Sequence, residues 1–155
     1  MEYARRVLHL IATIEDTLSQ LYRIYAERLP AHATFWLRLA KDELKHKDWA
    51  EDLVEIDAQG LLTLSAHRAA SELYDEYLNF LLDTVQHAQH GQQSSLDALA
   101  TAHLIETTYI ERNLLSVIRT DSEGVQRVLD ALGKSTERHA AIIAKELARV
   151  RALAD

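Results

Sequence analysis

Apolar residues recur at alternating steps of three and four along almost the whole chain, and that spacing fits one regular structure, the α-helix. The first seam runs through Ala4, Val7, Ile11, Ile14, Leu18, Leu21 and Tyr25. Leu29-Pro30 ends it, because the residue before a proline is pushed out of the helical region. A second seam runs through Trp36, Leu39, Glu43, His46, Ala50, Leu53 and Asp57, with Gly60 as its C-terminal cap. Residues 61–65 read as a short, rather apolar connection. A third helix over 66–90 is expected to bury Tyr74, Tyr77, Leu78, Leu81, Val85 and Ala88. Gly91-Gln92-Gln93-Ser94 breaks it, and Ser94-x-x-Asp97 resembles a capping box. The helix it opens has a seam of Leu96, Leu99, His103, Glu106, Ile110, Asn113 and Val117. Asp121-Ser122 marks a turn and a new N-cap. The last helix runs to about residue 152 through Val125, Leu129, Leu132, Thr136, His139, Ile143, Glu146 and Val150, with Gly133 as a weak point inside it. The expectation is one all-α domain over residues 1–155. It has four long helices paired by two short turns, and an additional helix in the connection between the pairs.

Composition narrows the chemistry. Only 4 Gly and 1 Pro exclude the frequent tight turns of most sandwiches and barrels. The absence of Cys removes disulfides, thiolate metal sites and a cysteine nucleophile, so any metal must be held by oxygen and imidazole nitrogen. A formal net charge of −7 argues against nucleic acid and against docking on an anionic membrane. No apolar run approaches the roughly 20 residues that span a bilayer. The N-terminus lacks the uninterrupted apolar stretch of a signal peptide, and a cytoplasmic location is expected. Neither a phosphate-binding glycine loop nor a nucleophile motif is present.

Ionisable residues stand where the seams call for apolar ones. Glu43 and His46 interrupt the second seam, His103 and Glu106 the fourth helix, and His139 the last. Glu15 lies at the edge of the first seam among Leu8, Ile11, Leu18 and Tyr22. A buried carboxylate costs several kcal/mol unless it is paired or binds a metal. The Glu43-x-x-His46 spacing alone is unspecific. Depth is the stronger argument. Glu15 lies 15 residues before Pro30 and Glu43 lies 13 after it. At 1.5 Å per residue, both sit about 20 Å from the turn of an antiparallel hairpin. Glu106 lies 15 residues before Asp121, while Thr136 and His139 lie 15 and 18 after it. Two hairpins therefore bring Glu, Glu-x-x-His, Glu and His to one layer. A faint internal repeat accompanies them, Ile14-Glu15-x-Thr17 against Ile105-Glu106-x-Thr108.

With these residues the chain resembles the ferritin-like superfamily, and within it the rubrerythrin-like di-iron carboxylate proteins. Their pattern is a lone Glu on one helix and Glu-x-x-His on the next, given twice. Glu15 and Glu43-Leu44-Lys45-His46 match the first half in full, and Glu106 and His139 match the second, where Thr136 replaces the expected glutamate. The resemblance implies a ferritin-like four-helix bundle holding iron, two ions or one, with manganese as the other metal suited to this ligand set. It implies Glu15, Glu43, His46, Glu106 and His139 as metal ligands. His103, one turn from Glu106, and Glu137, beside Thr136, are further candidates. Tyr22, Tyr109 and Thr136 are expected around the ligands. Three glutamates leave two divalent ions with one surplus positive charge.

The resemblance further implies oxidase or peroxidase chemistry on dioxygen or hydrogen peroxide. Rubrerythrins proper carry a four-cysteine rubredoxin domain for electron delivery. This cysteine-free chain would need a separate electron donor. A competing reading is a non-enzymatic bundle with a decayed or single-metal site, serving metal binding or protein association. A third is a metal-free adaptor whose buried polar residues form a hydrogen-bonded network. Self-association as a homodimer is a mild expectation for a bundle of this kind.

Overall fold

A computed structural model describes residues 2–64, 68–108 and 118–154. The described residues are almost entirely helical. Helix α1 spans Glu2–Arg28, a single 3-10 turn Pro30–His32 follows, and α2 spans Ala33–Ala58. Helix α3 covers Arg68–His90, α4 covers Ser95–Thr108, and α5 covers Glu123–Ala154. No described helix is long and apolar enough to cross a membrane.

The boundaries follow local chemistry. Leu29 leaves the helical region at φ −126° and ψ 67°, as a residue before proline must, and α1 turns back through Pro30 into α2. Gly60 has a φ of +73°, a left-handed conformation that glycine adopts without a Cβ clash, and it ends the chain's run out of α2. At the start of α4 the Ser94 backbone N–H donates to Asp97 Oδ2 at 2.9 Å, and the Asp97 N–H donates to Ser94 Oγ at 3.1 Å. That reciprocal pair is the capping box expected from the sequence. Ser122 caps α5, accepting from the Val125 N–H at 3.4 Å. Gly133 lies within an unbroken α5.

One feature was not expected. Thr63–Leu64 (β1) and Ile118–Arg119 (β2) form a two-residue antiparallel bridge, Thr63 opposite Arg119 and Leu64 opposite Ile118. Thr120 Oγ1 adds a bond to the Leu61 carbonyl at 2.8 Å. The bridge ties the chain leaving α2 to the chain entering α5. The apolar spacing read as helix up to Val117 therefore gives way to an extended strand by Ile118; Tyr109, Ile110, Asn113 and Val117 themselves lie outside the described residues.

Helix α1 packs along α2 and α3, α4 packs along α5, and α2 meets α5. The buried side chains fall into two apolar clusters. One includes Ile14, Leu18, Leu21, Tyr22, Trp36, Leu39, Leu81, Leu99 and Ile143. The other includes Val7, Leu8, Ile11, Ala50, Leu53, Val125 and Leu129. On α2 the first cluster ends at Ala40 and the second begins at Ala50; on α5 they are separated by the stretch between Leu129 and Ile143. Those gaps hold Glu43, His46, Ser135, Thr136 and His139, all buried. A polar layer divides the core, and its cost must be met inside the layer.

Candidate metal centre

Glu43, His46, Glu106 and His139 sit on seam positions of their helices and Glu15 at the edge of one, so the folding that buries their apolar neighbours carries them inward. Glu15 comes from α1, Glu43 and His46 from α2, Glu106 from α4 and His139 from α5. All five are 3% exposed or less. Glu43 and His46 are one helical turn apart and reach the same point from the same face.

Glu43 is the hub. His139 Nδ1 donates to Glu43 Oε1 at 2.9 Å, and His46 Nδ1 lies 2.8 Å from Glu43 Oε2. That second contact is an ion pair, and neither Glu43 Oε2 nor His46 Nδ1 completes a hydrogen bond, although both are fully buried. Glu15 Oε2 stands 3.5 Å from His46 Nδ1, and Glu106 Oε1 stands 3.8 Å from His139 Nδ1. One ligand atom each from Glu43, His46 and His139 lie within 4.8 Å of one another, close enough for one ion to reach all three. The two imidazole rings stack with centroids 5.1 Å apart.

The outer edges of both rings are held as well. His46 Nε2 meets Ser135 Oγ at 2.7 Å, and His139 Nε2 meets Asp42 Oδ2 at 3.3 Å. Trp49 stacks on His46 with ring centroids 5.7 Å apart. Tyr22 donates from its hydroxyl to Glu106 Oε1 at 2.6 Å and stacks on Trp36 at 5.6 Å. Fixing one ring nitrogen leaves the other aimed, and this is how ligating histidines are generally oriented.

The electrostatics without a metal follow from this geometry. Burial alone would push the Glu43 carboxyl up, but the hydrogen bond and charge of His139 and the close contact and charge of His46 outweigh it and hold Glu43 well below the usual carboxylate range. Burial works to lower the His46 imidazole, yet Glu15 and Glu43 raise it to about 11. His139 is likewise raised, against its own burial, chiefly by Glu43. Both nitrogens of His139 face carboxylate oxygens, which accept only, so both carry protons. Burial, then the negative charges of Glu106 and Glu43, push the Tyr22 phenol well above its ordinary range, so it stays a donor. Two imidazolium protons thus occupy the inward face where a cation would otherwise neutralise three carboxylates.

The layer brings together the five residues matched to the ligand pattern. Thr136 is buried beside them, and its hydroxyl donates to the Leu132 carbonyl at 3.2 Å along its own helix. His103 stands half-buried one turn from Glu106, and none of the cluster's ion pairs involves it. Glu137 is exposed, as its position about 100° round the helix from Thr136 requires. Tyr109 lies outside the described residues. Sequence reasoning missed Asp42, Ser135 and Trp49. Asp42 and Ser135 flank Glu43 and Thr136 in the chain, and that adjacency was the only available signal. No protein-family model, curated protein or solved structure matches the chain.

Proposed function

We propose that this chain is a ferritin-like iron protein whose buried centre reduces hydrogen peroxide or dioxygen with electrons from a separate donor. One observation carries the reading. Two imidazoles on different helices turn Nδ1 onto a single buried carboxylate, and each is anchored at Nε2 from outside. Carboxylate and imidazole are the donors expected for non-haem iron, with manganese as the neighbouring choice. The buried Glu43 Oε2 and His46 Nδ1, neither completing a hydrogen bond, fit such an ion, which would take the place of the imidazolium proton between them.

Bound ferrous iron would supply electrons, two per hydrogen peroxide with two protons to give two waters, or two per dioxygen with two protons to give hydrogen peroxide. The chain's residues supply the rest. Glu43 presents two oxygens to opposite histidines and is placed to be shared. Glu15 and Glu106 flank it, and His46 and His139 offer Nδ1. Ser135 and Asp42 keep those nitrogens aimed. Tyr22 holds Glu106 and places a phenolic proton at the rim. The apolar clusters on either side exclude bulk water.

The missing fourth carboxylate favours a second reading, a single-ion site that binds metal without turnover, or a bundle used for protein association. Thr136 bonds its own backbone and adds no charge to the layer. Three carboxylates leave one divalent ion with a surplus of one negative charge and two with a surplus of one positive. Anaerobic loading with Fe(II), metal analysis, and mixing with one equivalent of hydrogen peroxide separate the readings. One to two irons per chain, oxidised by peroxide, supports the redox reading. One unreactive iron supports the single-ion site, and well under one per chain defeats the redox reading and the single-ion site alike, leaving protein association.

A further inference from the structure

An open groove of about 420 Å³ lies between α2 and α5, lined by Arg38, Lys41, Asp42 and Lys45 on one side and Arg138, His139 and Ile142 on the other. The α2 residues fall at steps of three and four, so they form one stripe along the helix. Four of the chain's 17 Lys and Arg converge here, in a molecule whose net charge is −7. Its one carboxylate is already committed, since Asp42 faces Lys45 Nζ at 3.4 Å and His139 Nε2 at 3.3 Å. Arg38, Lys41 and Arg138 have no carboxylate partner among the described residues. Concentrating uncompensated cations in a concavity focuses positive potential there, and a concave site of this size suits a small molecule.

We propose that this groove binds a phosphate-type oxyanion, free or carried on a small molecule. The guanidinium groups of Arg38 and Arg138 offer paired N–H donors from facing helices, the geometry that phosphate oxygens accept. Lys41 adds a mobile charge, and Ile142 gives the mouth an apolar lip for an organic substituent. The floor is Asp42 and His139, so an occupant sits directly outside the anchored edge of the buried cluster. The site does not depend on a metal, and the metal-free protein tests it.

Inorganic phosphate, glycerol phosphate and neutral glycerol are titrated into isotopically labelled metal-free protein at low ionic strength, and amide shifts are followed. Both anions should saturate at one per chain, with shifts centred on Arg38, Lys41, Lys45, Arg138 and His139, and glycerol should not bind. Glycerol phosphate binding several-fold more tightly than phosphate identifies an ester as the natural occupant; equal affinity identifies the free ion. Lys41→Glu with Arg138→Glu should weaken binding by at least about tenfold, from the loss of charge-assisted hydrogen bonds. The milder Lys41→Gln with Arg138→Gln should weaken it in the same direction, and Arg151→Glu at the exposed end of α5 should leave it unchanged. Shifts that never saturate, shifts centred elsewhere, or an equal loss in Arg151→Glu would mean diffuse attraction and overturn the proposal.

Discussion

Glu43 accepts from His139 through Oε1 and faces His46 through Oε2. Removing its charge would leave two buried imidazolium groups short of a counter-ion. Glu43→Gln keeps the shape and should cost the metal-free protein about 3–5 kcal/mol, the range for breaking a buried pair. Urea denaturation checks it; a loss under about 1 kcal/mol would mean the ion pairs are incidental. The pH dependence has a definite sign. His46 rises from an ordinary 6.5 to about 11, so its stabilisation is full below pH 6.5 and is lost progressively as pH climbs toward 11. Glu43 falls below its ordinary 4.5, so its contribution is full above pH 4.5 and fades as pH drops further. Metal-free stability should therefore peak between about pH 4.5 and 6.5. Metal binding displaces the imidazole protons, so affinity should rise with pH and about two protons should be released. Calorimetry in buffers of differing ionisation enthalpy measures that release. Ser135→Ala frees only the far edge of His46 and should weaken metal affinity by about tenfold without changing the stoichiometry.

At the scale of the helices, much of the fold was legible because caps and breakers are local chemistry. Pro30, Gly60, the Ser94–Asp97 box and Ser122 each mark an observed boundary. Ser94→Ala should cost about 1 kcal/mol of global stability in thermal or urea unfolding. The β1–β2 bridge was not legible, since a two-residue strand has no period and its partner lies far away in sequence. The shared depth of Glu15 and Glu43 could be counted from Pro30, because helical rise is fixed along α1 and α2. The count from Asp121 back to Glu106 assumed a helix across Ile118–Arg119, which is a strand. The outer partners could not, because Asp42 and Ser135 look like ordinary surface or helix residues until the rings' directions are known. Helix α5 offers its own test at position 136. Thr136→Glu adds a carboxylate to the buried layer. It should lower the melting temperature of the metal-free protein and raise iron loading toward two per chain. Unchanged loading would show that Thr136 does not face the metal.

For the whole molecule, the division of the core is the central fact. Two apolar clusters enclose a layer of three carboxylates and two imidazoles, drawn from four of the five described helices. An apolar layer would pack with less desolvation, so the polar one imposes a stability cost that a bound cation would offset. The most direct measurement is an anomalous difference map at the iron edge from crystals of the Fe(II)-loaded protein. The account predicts one or two peaks bounded by Glu43 and the Nδ1 atoms of His46 and His139, with Glu15 and Glu106 beside them. A map with no peak in that layer, from protein crystallised in excess iron with the five side chains in place, would contradict it.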